Sequence, residues 1–266
     1  MQGGMAVKIG INLNAYDVID IRQQIKLMLD NGFETTFVAS ENPNLAQEME
    51  AIRSAGIICE SAHAPFDKIN DMWSRGEAGE AMLGRLMQSV NVCAEHQIPV
   101  LVVHLSSGMP APRISEVGYE RFARLMEHAK EKGVVIAFEN QRYLANLAFA
   151  FEEFPDAGFC WDVGHEEAFA GGRRYMPLFG HRLRQLHIHD NYWERDIHLI
   201  PYDGKIDFER VAASIAAANY EGSLMLELCA PASDVYRDYT PEQYYKRAAE
   251  AARKLAARVE FYRQER

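Results

Sequence analysis

Two patterns of apolar and polar residues alternate along the chain. Short runs are rich in β-branched and apolar residues, and such runs are typical of strands that are buried on both faces. Longer segments repeat their apolar residues every three or four positions, which is the spacing of a helix with one buried face. The short runs predict eight strands, at residues 8–14, 34–40, 56–64, 100–106, 134–140, 159–165, 183–190 and 223–229.

Several of the predicted helices have recognisable ends. One begins after Ser115, a residue type favoured at the helix N-cap, and ends at Gly133, which can adopt the left-handed conformation that stops a helix. Another ends at Asn31 and Gly32. The predicted helical segments are residues 17–32, 43–56, 115–133, 143–154, 207–222 and 240–266. Eight strands that alternate with helices over about 250 residues predict a single (β/α)8 TIM barrel.

A doubly wound open sheet is the alternative fold, because it also alternates strands and helices. The loop after the first strand, in INLNAYD, lacks the glycine-rich sequence of a dinucleotide-binding turn. No linker or shift in composition divides the chain. The barrel is therefore assigned to residues 7–266, and residues 1–6 are expected to be a disordered N-terminus or a remnant of cloning.

Composition and charge exclude several classes of protein. The 266 residues carry a formal net charge of −10, which argues against a protein that coats nucleic acid by charge alone. No run approaches the ~18 apolar residues of a membrane helix, and the N-terminus lacks the features of a signal peptide. The four widely spaced cysteines predict reduced thiols in a cytoplasmic protein. These cysteines are Cys59, Cys93, Cys160 and Cys229.

Imidazole and carboxylate side chains collect at the ends of the predicted strands. In (β/α)8 barrels the active site lies at the carboxyl ends of the strands. A single histidine there is more often packed than ligating, but carboxylates gathered at one rim repel each other unless a cation lies among them. The two ligand types together suit a divalent metal, so a metal site is predicted. The residues at these ends are His63, His104, Glu139, Asp162, His165, His187, His189 and Glu227.

The stretch LHIHDN, residues 186–191, places two histidines on one face of a strand, because side chains two residues apart point the same way. His187 is expected to lie deeper and to bind the metal. His189 is expected at or beyond the rim, where it would support a ligand or face the substrate. Asp190 is interpreted as a turn residue.

The stretch WDVGH, residues 161–165, raises a similar question at the end of the sixth predicted strand. Asp162 and His165 lie three residues apart across this strand end. Gly164 between them lets the backbone bend. Both side chains are therefore expected to reach one pocket.

Eight short motifs occur in order along the chain: SAHAPF, VVHLSSG, AFEN, WDVGH, LHIHDN, DIHL, GKIDF and LMLELC. Together they resemble the xylose isomerase-like TIM barrels, a superfamily of sugar isomerases, sugar epimerases and endonuclease IV-type DNA repair enzymes. The resemblance extends from the first strand to the last and is specific for the superfamily, not for a substrate.

The resemblance implies a divalent metal cofactor, either Mn, Co, Mg or Zn. In the sugar epimerases one ion is held by a set that matches Glu139, Asp162, His187 and Glu227. In the endonuclease IV branch further ligands build a three-zinc cluster. The matching residues here are His63, His104, His165, Asp196 and His198. One ion is expected, and the residues present allow up to three.

The first function hypothesis is a metal-dependent sugar or sugar-phosphate isomerase or epimerase. Glu139 and Glu227 would act as acid and base on the carbon next to a carbonyl, which the metal would polarise. His165 and His189 would orient the substrate or relay protons between its oxygens. A bound phosphate would need an anion site, for which the candidates are Arg142, Arg173 and Arg174. The expected substrate contacts are Arg142, Tyr192 and Trp193.

The alternative function is an endonuclease IV-like multi-zinc phosphodiesterase, which the nine ligand-competent positions favour. The loops after the first two strands carry no Lys or Arg to bind a phosphate backbone. The repair enzymes have a sequence resembling Gly-Glu-Gly where this chain has Tyr202 and Asp203. Nucleic acid and membranes are therefore not expected as partners, whereas a homo-oligomer stays open. A metal-binding protein without catalysis is a third class, in which the carboxylate pair would be unneeded.

Overall fold

The computed structural model describes residues 7–16 and 19–266, and within these the eight predicted strands form one parallel sheet. The strands are β1 (Ile9–Ile11), β2 (Thr35–Ala39), β3 (Ile58–His63), β4 (Val100–His104), β5 (Val135–Glu139), β6 (Gly158–Asp162), β7 (Leu183–His187) and β8 (Leu224–Leu226). They pair in the order β7-β6-β5-β4-β3-β2-β1-β8. Just beyond β7, Ile188 donates to the carbonyl of Met225 and accepts from the N–H of Glu227, which joins the two edges. The predicted (β/α)8 barrel is confirmed and the open sheet is excluded.

Helices follow the strands around the outside of this barrel. They are α1 (Ile21–Asp30), α2 (Leu45–Ser54), α3 (Glu77–Glu95), α4 (Glu116–Lys132), α5 (Leu144–Glu153), α6 (Val163–Phe169), α7 (Met176–Phe179), α8 (Phe208–Ala217) and α9 (Pro241–Gln264). The Ser115 side chain accepts from the N–H of Gly118, and Gly133 has a φ of 70°, so both predicted ends of α4 are confirmed. The N-terminus assigned to residues 1–6 lies outside the described residues. Among the described residues, none of the helices has the length and apolar character needed to cross a membrane.

The helix α3 was absent from the sequence-based prediction. Its apolar residues Met82, Leu86, Val90 and Cys93 recur at helical spacing and are all buried against the core. The signal was therefore present in the chain and follows the ordinary rule for an amphipathic helix.

The sixth strand is shorter than predicted, because the chain turns into α6 directly after Asp162. The Asp162 carboxylate accepts from the N–H of His165 at 2.6 Å, which is a helix N-cap. His165 thus lies in the first turn of a helix and not at a strand end. A Cβ atom on Gly164 would overlap the imidazole of His189, so glycine is needed there for a close approach and not for a bend.

An apolar cluster inside the barrel lies below three of the polar strand ends. Val102, Ala137 and Cys160 pack together in the interior, and each lies two residues before a polar strand end. Because side chains two residues apart share a face of a strand, His104, Glu139 and Asp162 point into the same interior one level higher. The strand geometry thus places polar groups at the carboxyl end of the barrel.

Candidate metal centre

The parallel register sets the height of the candidate ligands. His104 pairs with Glu139 across β4 and β5, and Asp162 pairs with His187 across β6 and β7. All four are buried, and their side chains face the barrel interior. Regular strand pairing alone therefore brings these four groups together.

Glu139 lies at the centre of a ring of imidazoles and is only 1% exposed. Its Oε2 is 2.7 Å from His104 Nε2 and 3.2 Å from His63 Nε2. Its Oε1 is 3.2 Å from His165 Nδ1 and 3.4 Å from His187 Nδ1. Burial raises the pKa of this carboxyl, but the charges of His104 and His187 outweigh burial and hold the pKa well below its usual value. Glu139 is therefore ionised.

Glu227 approaches the same histidine from the end of β8. Its Oε2 lies 3.4 Å from His187 Nδ1 and 3.8 Å from His198 Nδ1. One group of ligand atoms within 4.8 Å of one another consists of Glu139, Asp162, His187 and Glu227. These are the four residues that the resemblance implies for a single-ion site.

Two more groups of ligand atoms meet the same distance limit. One consists of His63, Glu139 and His187, and the other of His189, Asp196 and His198. Asp196 links the second group to α6, because its Oδ2 lies 3.0 Å from His165 Nε2. All nine positions that the resemblance implies therefore come together at one end of the barrel.

His189 differs from its predicted position. It is fully buried and does not line the cavity above the ligands. Its ring stacks on that of His198 with centroids 4.1 Å apart, and its Nε2 lies 3.4 Å from Asp196 Oδ1. This position suits a metal ligand or the predicted support of one, and it does not suit the predicted contact with the substrate.

The loop that carries Asp196 and His198, residues 188–207, is held by Asp190. The Asp190 carboxylate accepts from the N–H groups of Asn191, Gly204 and Ile206. This geometry agrees with the interpretation of Asp190 as a turn residue. It also explains how the loop keeps non-glycine residues at positive φ, among them His198 at 48°, a conformation that persists only where its surroundings fix it.

The spacing of several ligand atoms fits a shared cation better than a direct hydrogen bond. Two atoms each about 2.1 Å from a tetrahedral ion lie about 3.4 Å apart. His187 Nδ1 lies 3.4 Å from both Glu139 Oε1 and Glu227 Oε2. His189 Nε2 and Asp196 Oδ1 are also 3.4 Å apart, and both atoms are buried without a hydrogen-bond partner. Buried polar atoms without partners are costly, so the donor set fits a divalent metal.

The electrostatics of the cluster favour the same conclusion. Burial lowers the pKa of His187, but the charges of Glu227 and Glu139 outweigh it and raise the pKa to about 9. The pKa of His198 is similarly raised to about 10, because its hydrogen bond to Asp196 and the charge of Glu227 outweigh the effect of burial. Protons thus occupy positions between carboxylates where a cation would be stabilised.

A cavity of about 240 Å³ opens above these ligands. Arg142 lines it, as predicted for a substrate contact, and its guanidinium carbon lies 3.7 Å from the centroid of the Phe169 ring. Tyr192 and Trp193 do not line it and are 39% and 52% exposed, so the structure does not bring these two predicted contacts to the cavity. Arg174 is paired with Glu166 and Glu167.

Five cavity residues were missed by the sequence-based prediction, and two of them, Gln141 and Phe66, contact the candidate ligands. The Gln141 Nε2 lies 3.2 Å from His104 Nε2 and 3.1 Å from His165 Nδ1. The Phe66 ring stacks on that of His104 at 4.7 Å between centroids. Gln141 follows Glu139 by two residues and so shares its side of the chain, which is the signal that could have identified it.

A family model described as "Xylose isomerase-like TIM barrel" matches residues 18–257. A curated relative, "Uncharacterized protein y4fM" of Sinorhizobium fredii, is 33% identical over 150 residues, which are 53% of this chain and 47% of that protein. The chain therefore spans about half the length of the curated relative it matches.

Solved structures similar to this chain have the same barrel. 3-Keto-D-glucoside 4-epimerase YcjR from E. coli has a TM-score of 0.74 at 18% identity, over 94% of this chain and 99% of that one. D-Psicose 3-epimerase from Clostridium cellulolyticum H10 has a TM-score of 0.77 at 13% identity, over 95% and 99%. A xylose isomerase domain protein from Alicyclobacillus acidocaldarius has a TM-score of 0.74 at 17% identity, over 96% and 100%. At these identities the likeness shows the fold.

Proposed function

Because the chain belongs to the xylose isomerase-like TIM barrel family, we propose that it is a divalent-metal-dependent sugar or sugar-phosphate isomerase or epimerase. The main observation is that two glutamates approach one histidine from different strands. Glu139 Oε1 and Glu227 Oε2 each lie 3.4 Å from His187 Nδ1. Both glutamates also line the cavity. Two solved structures of this fold are named as sugar epimerases, which supports this choice of reaction.

The ligand set Glu139, Asp162, His187 and Glu227 would hold the metal, as the spacing of its atoms supports. When bound, a divalent ion would polarise a substrate carbonyl and the neighbouring hydroxyl as a Lewis acid. Asp162 is fully buried, and burial raises its pKa despite the nearby His165 and His189. A cation would offset this desolvation and keep the carboxylate ionised.

The two glutamates would move the proton. Glu227 is held ionised against the effect of burial by the charges of His187 and His198, so it can accept the proton next to the carbonyl. Glu139 would return a proton to the substrate. His165 Nδ1 lies 3.2 Å from Glu139 Oε1 and has a pKa raised well above its usual value, so it can supply that proton.

Proton exchange in deuterated water tests this proposal. The Mn-loaded protein is incubated with a panel of ketoses and ketose phosphates, and solvent deuterium at the carbon next to the carbonyl is followed by NMR. We expect exchange with at least one substrate, and a loss of about 10²-fold or more in Glu227→Gln. A metal-loaded protein that exchanges no proton in any ketose would overturn the proposal.

A multi-zinc phosphodiesterase is the second candidate, and one observation favours it. The two additional ligand groups, with His63 and His189 among their members, are more than a single-ion site requires. The net charge of −10 and the small cavity oppose a duplex substrate. Zinc-loaded protein incubated with a duplex containing an abasic site, together with a count of bound ions, separates the two functions. Cleavage with three ions per chain favours the phosphodiesterase, and one ion without cleavage favours the isomerase.

A further inference from the structure

The cavity above the candidate ligands has an acidic floor and a different kind of wall. The floor consists of imidazoles and carboxylates from the candidate ligands, namely His63, His104, Glu139, His165, Asp196, His198 and Glu227. The wall comes from the loops after β3, β4 and β5 and from the end of helix α6, and its described residues include no carboxylate. Its residues are Phe66, Ser107, Gly108, Gln141, Arg142 and Phe169.

Within residues 7–16 and 19–266, Arg142 is the only arginine or lysine that lines this cavity. Among the described residues it forms no ion pair and no hydrogen bond, and its Nε is buried without a partner. Arg121 and Arg210, which are also partly or fully buried, each pair with a carboxylate. An arginine that only offset the acidic floor would be expected to pair in the same way. Arg142 instead lies over the Phe169 ring, which helps to fix its position and leaves its N–H donors unused.

Ser107 gives the same wall a second donor. Its backbone is fixed by Asn70, whose Oδ1 accepts from the Ser107 N–H at 2.9 Å and whose Nδ2 donates to the Ser107 carbonyl at 2.7 Å. Its hydroxyl makes no hydrogen bond within the described part of the chain. A guanidinium and a hydroxyl on one wall, with their donors unused, are complementary to an oxyanion.

We propose that this wall binds an oxyanion substituent of the substrate, a phosphate ester or a carboxylate, through Arg142 and Ser107. The inference rests on the proposed function, because it takes the substrate to be a sugar. It makes that substrate a charged sugar, with its polyol part over the ligand groups and its anion against the wall. The guanidinium suits either anion, because its planar N–H groups match two oxygens at once.

Binding of three related polyols tests the proposal. D-glucitol, D-glucitol 6-phosphate and D-gluconate share a carbon chain and differ in charge. Their affinities for the Mn-loaded protein are measured by isothermal titration calorimetry. We expect one anion to bind about 10- to 100-fold more tightly than D-glucitol, the range for one charge-assisted hydrogen bond. The anion that binds more tightly than D-glucitol identifies the substituent as a phosphate ester or a carboxylate.

Variants then locate the binding. In Arg142→Met the preference for the anion should fall to about threefold or less, and Arg142→Lys, which keeps the charge without the planar fork, should retain part of it. Arg113→Met is the matched control, because Arg113 is exposed in the loop after β4 and does not line the cavity. It should leave the preference unchanged. Thermal melting checks that each variant is folded.

Three outcomes would overturn the proposal. They are equal affinities for all three polyols, no measurable binding of either anion, and a preference that survives in Arg142→Met, which would place the anion on the metal. Proton exchange is measured separately. Exchange with neutral ketoses and no role for Arg142 would leave the isomerase proposal standing and remove this one. An anion preference that depends on Arg142, without exchange in any ketose, would support the anion site and overturn the isomerase proposal.

Discussion

Glu139 keeps its charge in a place where burial alone would neutralise it. Four histidines surround its carboxylate, and two of them, His104 and His187, lower its pKa enough to outweigh desolvation. The neighbouring carboxylates in turn stabilise the protonated form of two histidines, since they raise the pKa of His187 and His198. At the scale of single residues the cluster is therefore a set of mutually dependent charges, in which protons and a cation compete for the same atoms.

Metal affinity should rise with pH, because His187 must lose its proton before it can bind. With a pKa of about 9 in the metal-free protein, His187 is mostly protonated at neutral pH. The apparent Mn affinity should increase by about tenfold per pH unit from pH 7 and level off above pH 9. Competition with a fluorescent chelator measures it.

A histidine outside the cluster provides the control for that experiment. His128 is hydrogen-bonded to Asn91 on the outside of the barrel, so His128→Gln should leave the pH profile unchanged. An affinity that stays constant between pH 7 and pH 9 in the wild-type protein would contradict the assignment of His187 as a ligand.

At the scale of elements, two short segments position what the strands do not. The helix α6 presents His165 because Asp162 caps it and Gly164 lets it lie against His189. The loop 188–207 presents Asp196 and His198 because Asp190 binds three of its N–H groups. Asp162, Gly164 and Asp190 are all buried, so a substitution at any of them should change both the stability of the fold and the positions of the candidate ligands.

Gly164→Ala should destabilise the protein and disturb the group that contains His189. The added methyl would overlap the His189 ring, and such overpacking typically costs about 1–3 kcal/mol. Urea unfolding and the number of bound metal ions measure the two effects. Gly84→Ala is the matched control, since Gly84 is an exposed helix residue with open space around it. This control should stabilise the fold by up to about 1 kcal/mol. Equal effects of the two substitutions would contradict the role given to Gly164.

Asp190→Ala should loosen the loop 188–207 while the barrel stays folded. It would leave three N–H groups without their acceptor, at about 1–3 kcal/mol for each one that stays buried. Hydrogen–deuterium exchange should rise in residues 191–206 and remain low in the strands. Asp207→Ala, which removes only the exposed cap of α8, should leave exchange in that loop unchanged. Unchanged exchange in Asp190→Ala would show that other contacts hold the loop.

The sequence predicts the existence and order of the eight strands, because a strand buried on both faces is largely apolar, but it extends several of them too far, the sixth among them. Strand ends in a barrel share one rim, so the convergence of His104, Glu139 and Asp162 also follows from the pattern. The start of α6 was not predicted, since it depends on Asp162 acting as the helix N-cap and on the close packing of Gly164 against His189. The place of Asp196 depends on hydrogen bonds within the following loop, and only the resemblance pointed to that residue.

At the scale of the whole molecule, the barrel concentrates buried carboxylates and imidazoles at one end. Directly below the site, Val102, Ala137 and Cys160 pack together in the interior. The metal-free protein must therefore keep several polar atoms buried without partners, among them Asp162 Oδ2 and His189 Nε2. A bound cation would remove part of this penalty and stabilise the folded chain.

Removal of metal should lower the melting temperature. An ion present at about 100 times its Kd stabilises the fold by about 2.7 kcal/mol, which corresponds to roughly 5–10 °C in a protein of this size. Scanning calorimetry before and after dialysis against EDTA measures the shift, and added Mn should restore it. A melting temperature that responds to neither EDTA nor Mn would contradict the metal site.

Glu139 and His187 each belong to two of the three ligand groups. Ions in those two groups would draw on the same two residues, so their binding is one linked equilibrium and not two independent ones. By thermodynamic reciprocity, the first ion changes the affinity for the second by the same factor that the second changes the affinity for the first. The occupancy of the centre would then respond steeply or in separate steps to the concentration of free metal, and the supply of metal would itself decide which form of the protein is present.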